Sequence, residues 1–171
     1  MASVFGHGLV AYTTTQIMDS RCGRSLLILA LISSILPDFD VITFGMIPYD
    51  SIMGHRGFTH SILFAFIWSI ILSLMFGRTQ KKGYFLVIFM VTISHGLLDA
   101  MTTGGKGVGF FIPIDNARYF LPWRVIQVSP IGVEEFFSDW GLAVILSELK
   151  YIGIPCVIIL ITLWFLRNQR S

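Results

Sequence analysis

Two long apolar runs, His60 to Phe76 and Tyr84 to Met101, are separated only by the basic turn Gly77-Arg78-Thr79-Gln80-Lys81-Lys82-Gly83. Each is close to the ~20 apolar residues that cross a bilayer as a helix. A connection this short makes the two antiparallel neighbours. That hairpin sets the terms for the rest of the chain, because an active site in such a protein must be built between membrane helices. Composition agrees: 13% of the 171 residues are charged and 54% are hydrophobic, whereas a soluble domain carries about a quarter charged residues. The expected fold is an all-α integral membrane bundle of four to five helices plus an interfacial helix. Residues 1–171 read as one membrane-embedded domain.

Before the hairpin, Val4 to Met18 reads as a short helix, polar on one side, ending at Asp19-Ser20-Arg21-Cys22-Gly23-Arg24. It lacks a basic leader and does not read as a cleaved signal. Ser25 to Leu36 is a second apolar segment, interrupted by Pro37 and the acidic pair Asp38 and Asp40. Either the two segments are short tilted helices, or the spanning part continues through Val41 to Phe44. After the hairpin, residues 102–137 form a long connection whose Phe110, Phe111, Tyr119, Phe120 and Trp123 argue against disorder. Asp139 to Lys150 reads as an amphipathic interfacial helix. Tyr151 to Leu166 reads as the last span, bent at Pro155. Cys22 and Cys156 lie in unrelated contexts and suggest neither a disulfide nor a thiolate metal site.

If each run crosses once, Arg21, Arg24, Arg78, Lys81, Lys82, Arg167 and Arg170 fall on one face, seven of the twelve basic residues. The positive-inside rule makes that face cytoplasmic. His7, Asp38, His55, His60, His95 and Asp99 then converge toward the outer face. A net charge of +2, dispersed at the ends of apolar runs, gives no basis for nucleic-acid binding.

His95 and Asp99 are four apart on a secure helix and share a face. Imidazole nitrogen and carboxylate oxygen both suit zinc. His55 and His60 are five apart, about 140° around an ideal helix, so both can enter one site only if the segment between them is non-helical. Gly54 and Gly57 permit that. Ionisable groups within membrane segments are expensive and usually functional, which favours His95 and Asp99 as ligands. His7 alone reads more simply as a hydrogen-bonding histidine between helices. His55 reads also as a loop-orienting residue, and Asp40, Asp50 and Asp139 as boundary charges. The loop from Gly104 to Gly132 is expected to lie over the site as an aromatic lid carrying Arg118 and Arg124. The alternative is that these arginines pair with Asp115, Glu134 or Glu135 and brace the loop.

The strings Leu36-Pro37-Asp38-Phe39-Asp40, His55-Arg56-Gly57-Phe58-Thr59-His60-Ser61, Ser94-His95 through Asp99, Pro113 through Arg124 and Val128-Ser129-Pro130-Ile131-Gly132 carry a resemblance. The chain resembles the YdjM type of LexA-regulated inner-membrane, metal-dependent hydrolases, from His7 to the last helix. More distantly, the order His, Pro-Asp, His-Ser, Ser-His-x-x-x-Asp is similar to the helical zinc-dependent phospholipase C fold. That resemblance implies one zinc on Asp38, His60, His95 and Asp99, and a second held by His7 with Asp99 bridging. No histidine follows His95, so a complete trinuclear centre is not expected, and one or two ions are.

The expected activity is metal-assisted phosphoester hydrolysis on a lipid or amphiphilic substrate at the outer, periplasmic side of a bacterial inner membrane. Asp38, Asp40 and His55 are the acid–base candidates. Arg56, Asn116, Arg118 and Arg124 are the substrate-binding candidates, since guanidinium forks suit phosphate. Two other classes stay open. One is a metal-independent lipid phosphatase with a histidine nucleophile, whose Lys/Arg-rich first motif is missing here. The other is a metal-stabilised scaffold or transporter without enzymatic activity.

Overall fold

A computed structural model describes residues 1–18 and 23–169. Arg21, Cys22 and Arg170, used above for loop charge and cysteine pairing, lie outside the described residues. The chain is all-helical: α1 (Val4–Met18), α2 (Arg24–Ile35), α3 (Ile62–Phe76), α4 (Lys81–Ala100), α5 (Val133–Phe136), α6 (Asp139–Glu148) and α7 (Ile154–Asn168). Arg24–Thr43, Lys81–Ala100 and Asp139–Asn168 are long and apolar enough to cross a membrane, and Ile62–Phe76 is a shorter apolar helix.

The polar and apolar surfaces are distributed for lipid. On α7, Ile158, Trp164 and Phe165 are exposed, while Ser33, Ser69 and Thr92 are buried between helices. In a bilayer the tails are as apolar as leucine, so helices associate through close packing and interhelical hydrogen bonds. The Trp68 indole donates to Ser33 Oγ at 2.9 Å, joining α3 to α2. Helices α1, α2 and α4 meet around Ala11, Leu26, Ala30, Val87, Ile88 and Val91. The α3–α4 hairpin closes on Phe66 against Phe85, with centroids 5.6 Å apart.

Two local readings change. Pro37 does not end the second segment: Leu36–Thr43 continues it as a 3-10 helix with the proline in its first turn, where a missing N–H costs little. The alternative in which the span runs on toward Phe44 is the one observed. The interfacial helix over Asp139 to Lys150 is not a separate element. It runs through a π-turn, Leu149–Gly153, into α7 as one 30-residue rod. The π-turn absorbs the disturbance of Pro155, which offers no N–H to the preceding turn. Trp140, Leu142, Ile145 and Leu146 are exposed along its first half, so that half lacks a polar outer face.

The polar chemistry gathers at one end of the bundle: the start of α1, the 3-10 helix after α2, the turn before α3 and the C-terminal half of α4. At the other end Arg167 donates to the Gln16 carbonyl at 2.5 Å, tying α7 to α1.

Candidate metal centre

The 3-10 geometry after α2 is what brings two acids to one histidine. At three residues per turn, Asp38 and Asp40 point about 120° apart. They grip His60 from both sides: Asp38 Oδ1 lies 3.6 Å from Nε2, and Asp40 Oδ2 lies 3.3 Å from Nδ1. His60 itself ends a short 3-10 turn, Phe58–His60, and does not belong to α3. Gly96 on α4 lets that turn approach, since a Cβ there would sit 3.2 Å from the His60 carbonyl. His95 and Asp99, one turn apart on α4, are both fully buried.

The hydrogen bonds fix which nitrogens carry lone pairs. His95 Nδ1 lies 2.7 Å from the Ser34 carbonyl. A carbonyl only accepts, so Nδ1 holds the proton and Nε2 is bare. His60 Nδ1 faces Asp40 Oδ2 and Thr59 Oγ1, which leaves its Nε2 bare by the same argument. The two bare Nε2 atoms face each other at 3.1 Å. Asp38 Oδ1 is 3.3 Å from His95 Nε2, and Asp99 Oδ2 is 3.5 Å from His60 Nε2. One donor atom from each of Asp38, His60, His95 and Asp99 lies within 4.8 Å of all the others.

Four electron-rich atoms aimed at one another need a cation between them. Asp38 Oδ1 and Asp99 Oδ2 are buried without a hydrogen-bond partner. Asp38, Asp40 and Asp99 all lie against His60, and together these carboxylates demand positive charge that a divalent ion meets more fully than a proton. The residues present therefore fit a metal. Carboxylate and imidazole donors in a tetrahedral number suit zinc, and Asp40 behind His60 is the outer carboxylate such sites use to orient a ligand.

His7 stacks on His95 with ring centroids 3.9 Å apart. Its Nε2 lies 3.4 Å from Asp99 Oδ1 and 3.9 Å from Asp38 Oδ2. Both its nitrogens are buried and unpartnered. His7 stands beside the four-residue cluster, near the second oxygens of both carboxylates.

Asp40 also holds His55, accepting from Nδ1 at 2.6 Å, together with the Arg56 amide and the Thr59 hydroxyl. Its oxygens are committed, which suits orienting two histidines better than accepting a proton. His55 and Arg56 line a cavity of about 500 Å³ that also includes Tyr49, Lys106, Ser129 and Trp140. The buried Arg56 guanidinium sits between this cavity and the cluster, with Nε 3.1 Å from Asp99 Oδ2 and Nη atoms donating to the Gly104 carbonyl and Thr102 Oγ1. Its backbone has φ of +59°, a conformation that costs a non-glycine residue roughly 1–2 kcal/mol.

The remaining substrate-binding candidates do not line that cavity. Arg118 donates to the carbonyls of Arg56, Tyr49 and Ser51. Arg124 donates to those of Thr102 and Thr103 and stacks on Phe120. Asn116 donates to the Asp50 carbonyl. The bracing partners are backbone carbonyls, not the Asp115, Glu134 or Glu135 side chains of the alternative reading. Arg118→Ala is expected to lower thermal stability by about 2 kcal/mol, with metal content and turnover per folded molecule unchanged. Lost turnover at unchanged stability would return Arg118 to the substrate.

Gly57 is the hinge of this arrangement. A Cβ there would meet the Ile52 carbonyl at 2.4 Å and the Gly54 carbonyl at 2.5 Å, and neither can move aside as a side-chain tip could. Gly57→Ala is expected to displace His55 and His60 together, lowering metal content and thermal stability. An alanine variant with wild-type metal content would show that the turn does not position the site.

The comparison with known proteins decides the family. The YdjM inner membrane protein family matches residues 1–170. This chain belongs to the YdjM family. The inner membrane protein YbcI of Escherichia coli K12 is 38% identical over 147 residues, covering 84% of this chain and 85% of that protein. No solved structure matches, and the likeness to phospholipase C rests on the motif order alone. The chain is therefore a YdjM-family membrane protein with a buried Asp-His-His-Asp group able to hold a metal ion.

Sequence reasoning passed over Glu148, buried on α6, and the backbone donors and acceptors at the site, the Ala2 amide and the Ser34 carbonyl. An acidic residue inside the longest apolar run was the available signal for Glu148.

Proposed function

We propose that this YdjM-family protein is a membrane-bound, zinc-dependent hydrolase that cleaves a phosphoester on a lipid or amphiphilic substrate, with its site toward the periplasmic side. The observation that carries the reading is the convergence of two imidazole lone pairs and two carboxylates one residue layer from a cavity lined by His55. Asp38, His60, His95 and Asp99 would hold the ion, and His7 would serve a second. Bound zinc supplies Lewis acidity toward a phosphoryl oxygen and brings the pKa of a water near 7.

The chain's own residues do the rest. Asp40 fixes His60 through Nδ1 and His55 through its own Nδ1. That leaves the far edge of His55 to take or give a proton at the cavity wall. Arg56 holds Asp99 and presents positive charge toward the cavity, where a phosphate would be recognised. The cavity's apolar residues, Phe44, Val128, Ile131 and Trp140 among them, suit the hydrocarbon part of an amphiphile. In this reading Asn116, Arg118 and Arg124 hold the loop that frames the cavity.

One observation favours a second reading. All four ligand side chains are at most 8% exposed, and structural zinc sites are likewise closed. A metal-stabilised, non-enzymatic membrane protein is that alternative. Phosphate release from phospholipids and isoprenoid phosphates, with and without chelator, separates the two. Hydrolysis lost on chelation and restored by zinc is expected. Chelator-insensitive turnover would refute the metal mechanism, and metal retention with no turnover on the panel would favour the structural reading.

A further inference from the structure

Glu148 is buried at the C-terminal end of α6, where the π-turn begins, and it is not one of the four cluster residues. Both its oxygens are taken by one residue. Oε1 accepts the Ser3 amide, and Oε2 accepts the Ser3 hydroxyl at 2.5 Å. One residue earlier, the Ala2 amide donates to Asp99 Oδ1 at 2.8 Å. Residues 2 and 3 are thus held between two buried carboxylates, one of them a ligand candidate. The approach of α1 to Glu148 is as close as glycine allows: a Cβ on Gly6 would lie 3.0 Å from the Glu148 carboxyl carbon. An ionisable residue in a spanning helix is expensive and seldom idle, and π-turns gather at functional sites.

We propose that Glu148 is a positioning residue for Asp99. By holding Ser3 it fixes the Ala2 amide on Oδ1, and with that oxygen pinned the carboxylate turns Oδ2 toward His60 Nε2, 3.5 Å away, and into the metal centre. The path Glu148, Ser3, Ala2, Asp99 acts as outer support for a ligand, and it rests on the metal reading above. The role is geometric: glutamine at 148 would still accept the Ser3 amide through Oε1 and donate to the Ser3 hydroxyl through Nε2.

The test uses the full-length protein in detergent, with zinc affinity measured by competition against a chromophoric chelator and the visible spectrum recorded on the cobalt-substituted form. Glu148→Ala should weaken zinc binding about 10- to 100-fold, the usual effect of losing an outer-shell partner, and shift the cobalt bands. Glu148→Gln should restore most of both. Ser3→Ala, which removes the hydroxyl link alone, should give a smaller loss in the same direction. Glu148→Ala with wild-type affinity and spectrum would overturn the proposal, as would Gln and Ala variants equally impaired. If Glu148→Ala does not fold, wild-type affinity in Ser3→Ala would overturn it instead. A wild-type protein that binds neither metal would remove the metal reading, and this proposal with it.

Discussion

Asp99→Ala is expected to abolish metal binding and to destabilise the protein at the same time. Asp99 Oδ1 accepts the Ala2 amide, while Oδ2 faces Arg56 Nε at 3.1 Å and His60 Nε2 at 3.5 Å. Truncation removes a ligand candidate and leaves the buried Arg56 guanidinium without its carboxylate. Breaking a buried ion pair from one side typically costs about 3–5 kcal/mol. The Arg56 Nη atoms keep Gly104 and Thr102, which places the expected loss toward the lower figure. Asp99→Asn separates the two effects. It keeps the volume and an acceptor for Ala2 but lacks the charge, so metal should be lost with a smaller fall in stability. Metal content and thermal unfolding, measured side by side in detergent, check both variants. Metal in Asp99→Ala equal to wild type would remove Asp99 from the centre.

His55→Ala carries the second large effect, on turnover and not on metal. The ring centroid of His55 is 6.2 Å from that of His60, and His55 is outside the four-residue cluster, so the ion should stay. What is lost is the Asp40-oriented imidazole at the cavity wall. Removal of a general acid or base usually costs about 10²–10⁴-fold in rate. Asp40→Ala makes the contrast, because Asp40 supports both histidines: it should lower metal affinity as well as rate. If His55→Ala turns over substrate at the wild-type rate while Asp40→Ala does not, His55 is a prop for the 54–57 turn and the proton moves elsewhere.

The parts of this site that the sequence made legible are those governed by helical spacing. His95 and Asp99 are one turn apart on an uninterrupted apolar run, and no tertiary information is needed to put them on one face. His60 was legible only conditionally, since the glycines at 54 and 57 permit a non-helical turn without specifying it. Asp40 was legible as an acid–base candidate but not as a support for His60, because in an α-helix Asp38 and Asp40 would diverge further. The 3-10 winding that makes them share His60 is set by packing, not by residue type. The continuous rod from Asp139 to Asn168 was missed for a related reason: Lys150 and Pro155 read as a boundary, whereas a π-turn accommodates both within one helix. Arg118 and Arg124 looked free to bind phosphate because their partners are backbone carbonyls, which are not encoded by any side chain. The Ala2 amide on Asp99 is invisible for the same reason.

The central claim is that the buried Asp38, His60, His95 and Asp99 cluster holds a divalent ion, and elemental analysis of the purified wild-type protein tests it most directly. The account predicts at least one tightly bound equivalent of zinc that survives dialysis, disappears in Asp99→Ala and His95→Ala, and persists in Arg118→Ala. Wild-type protein free of divalent metal after incubation with zinc and dialysis, or zinc retained equally by all three variants, would contradict it.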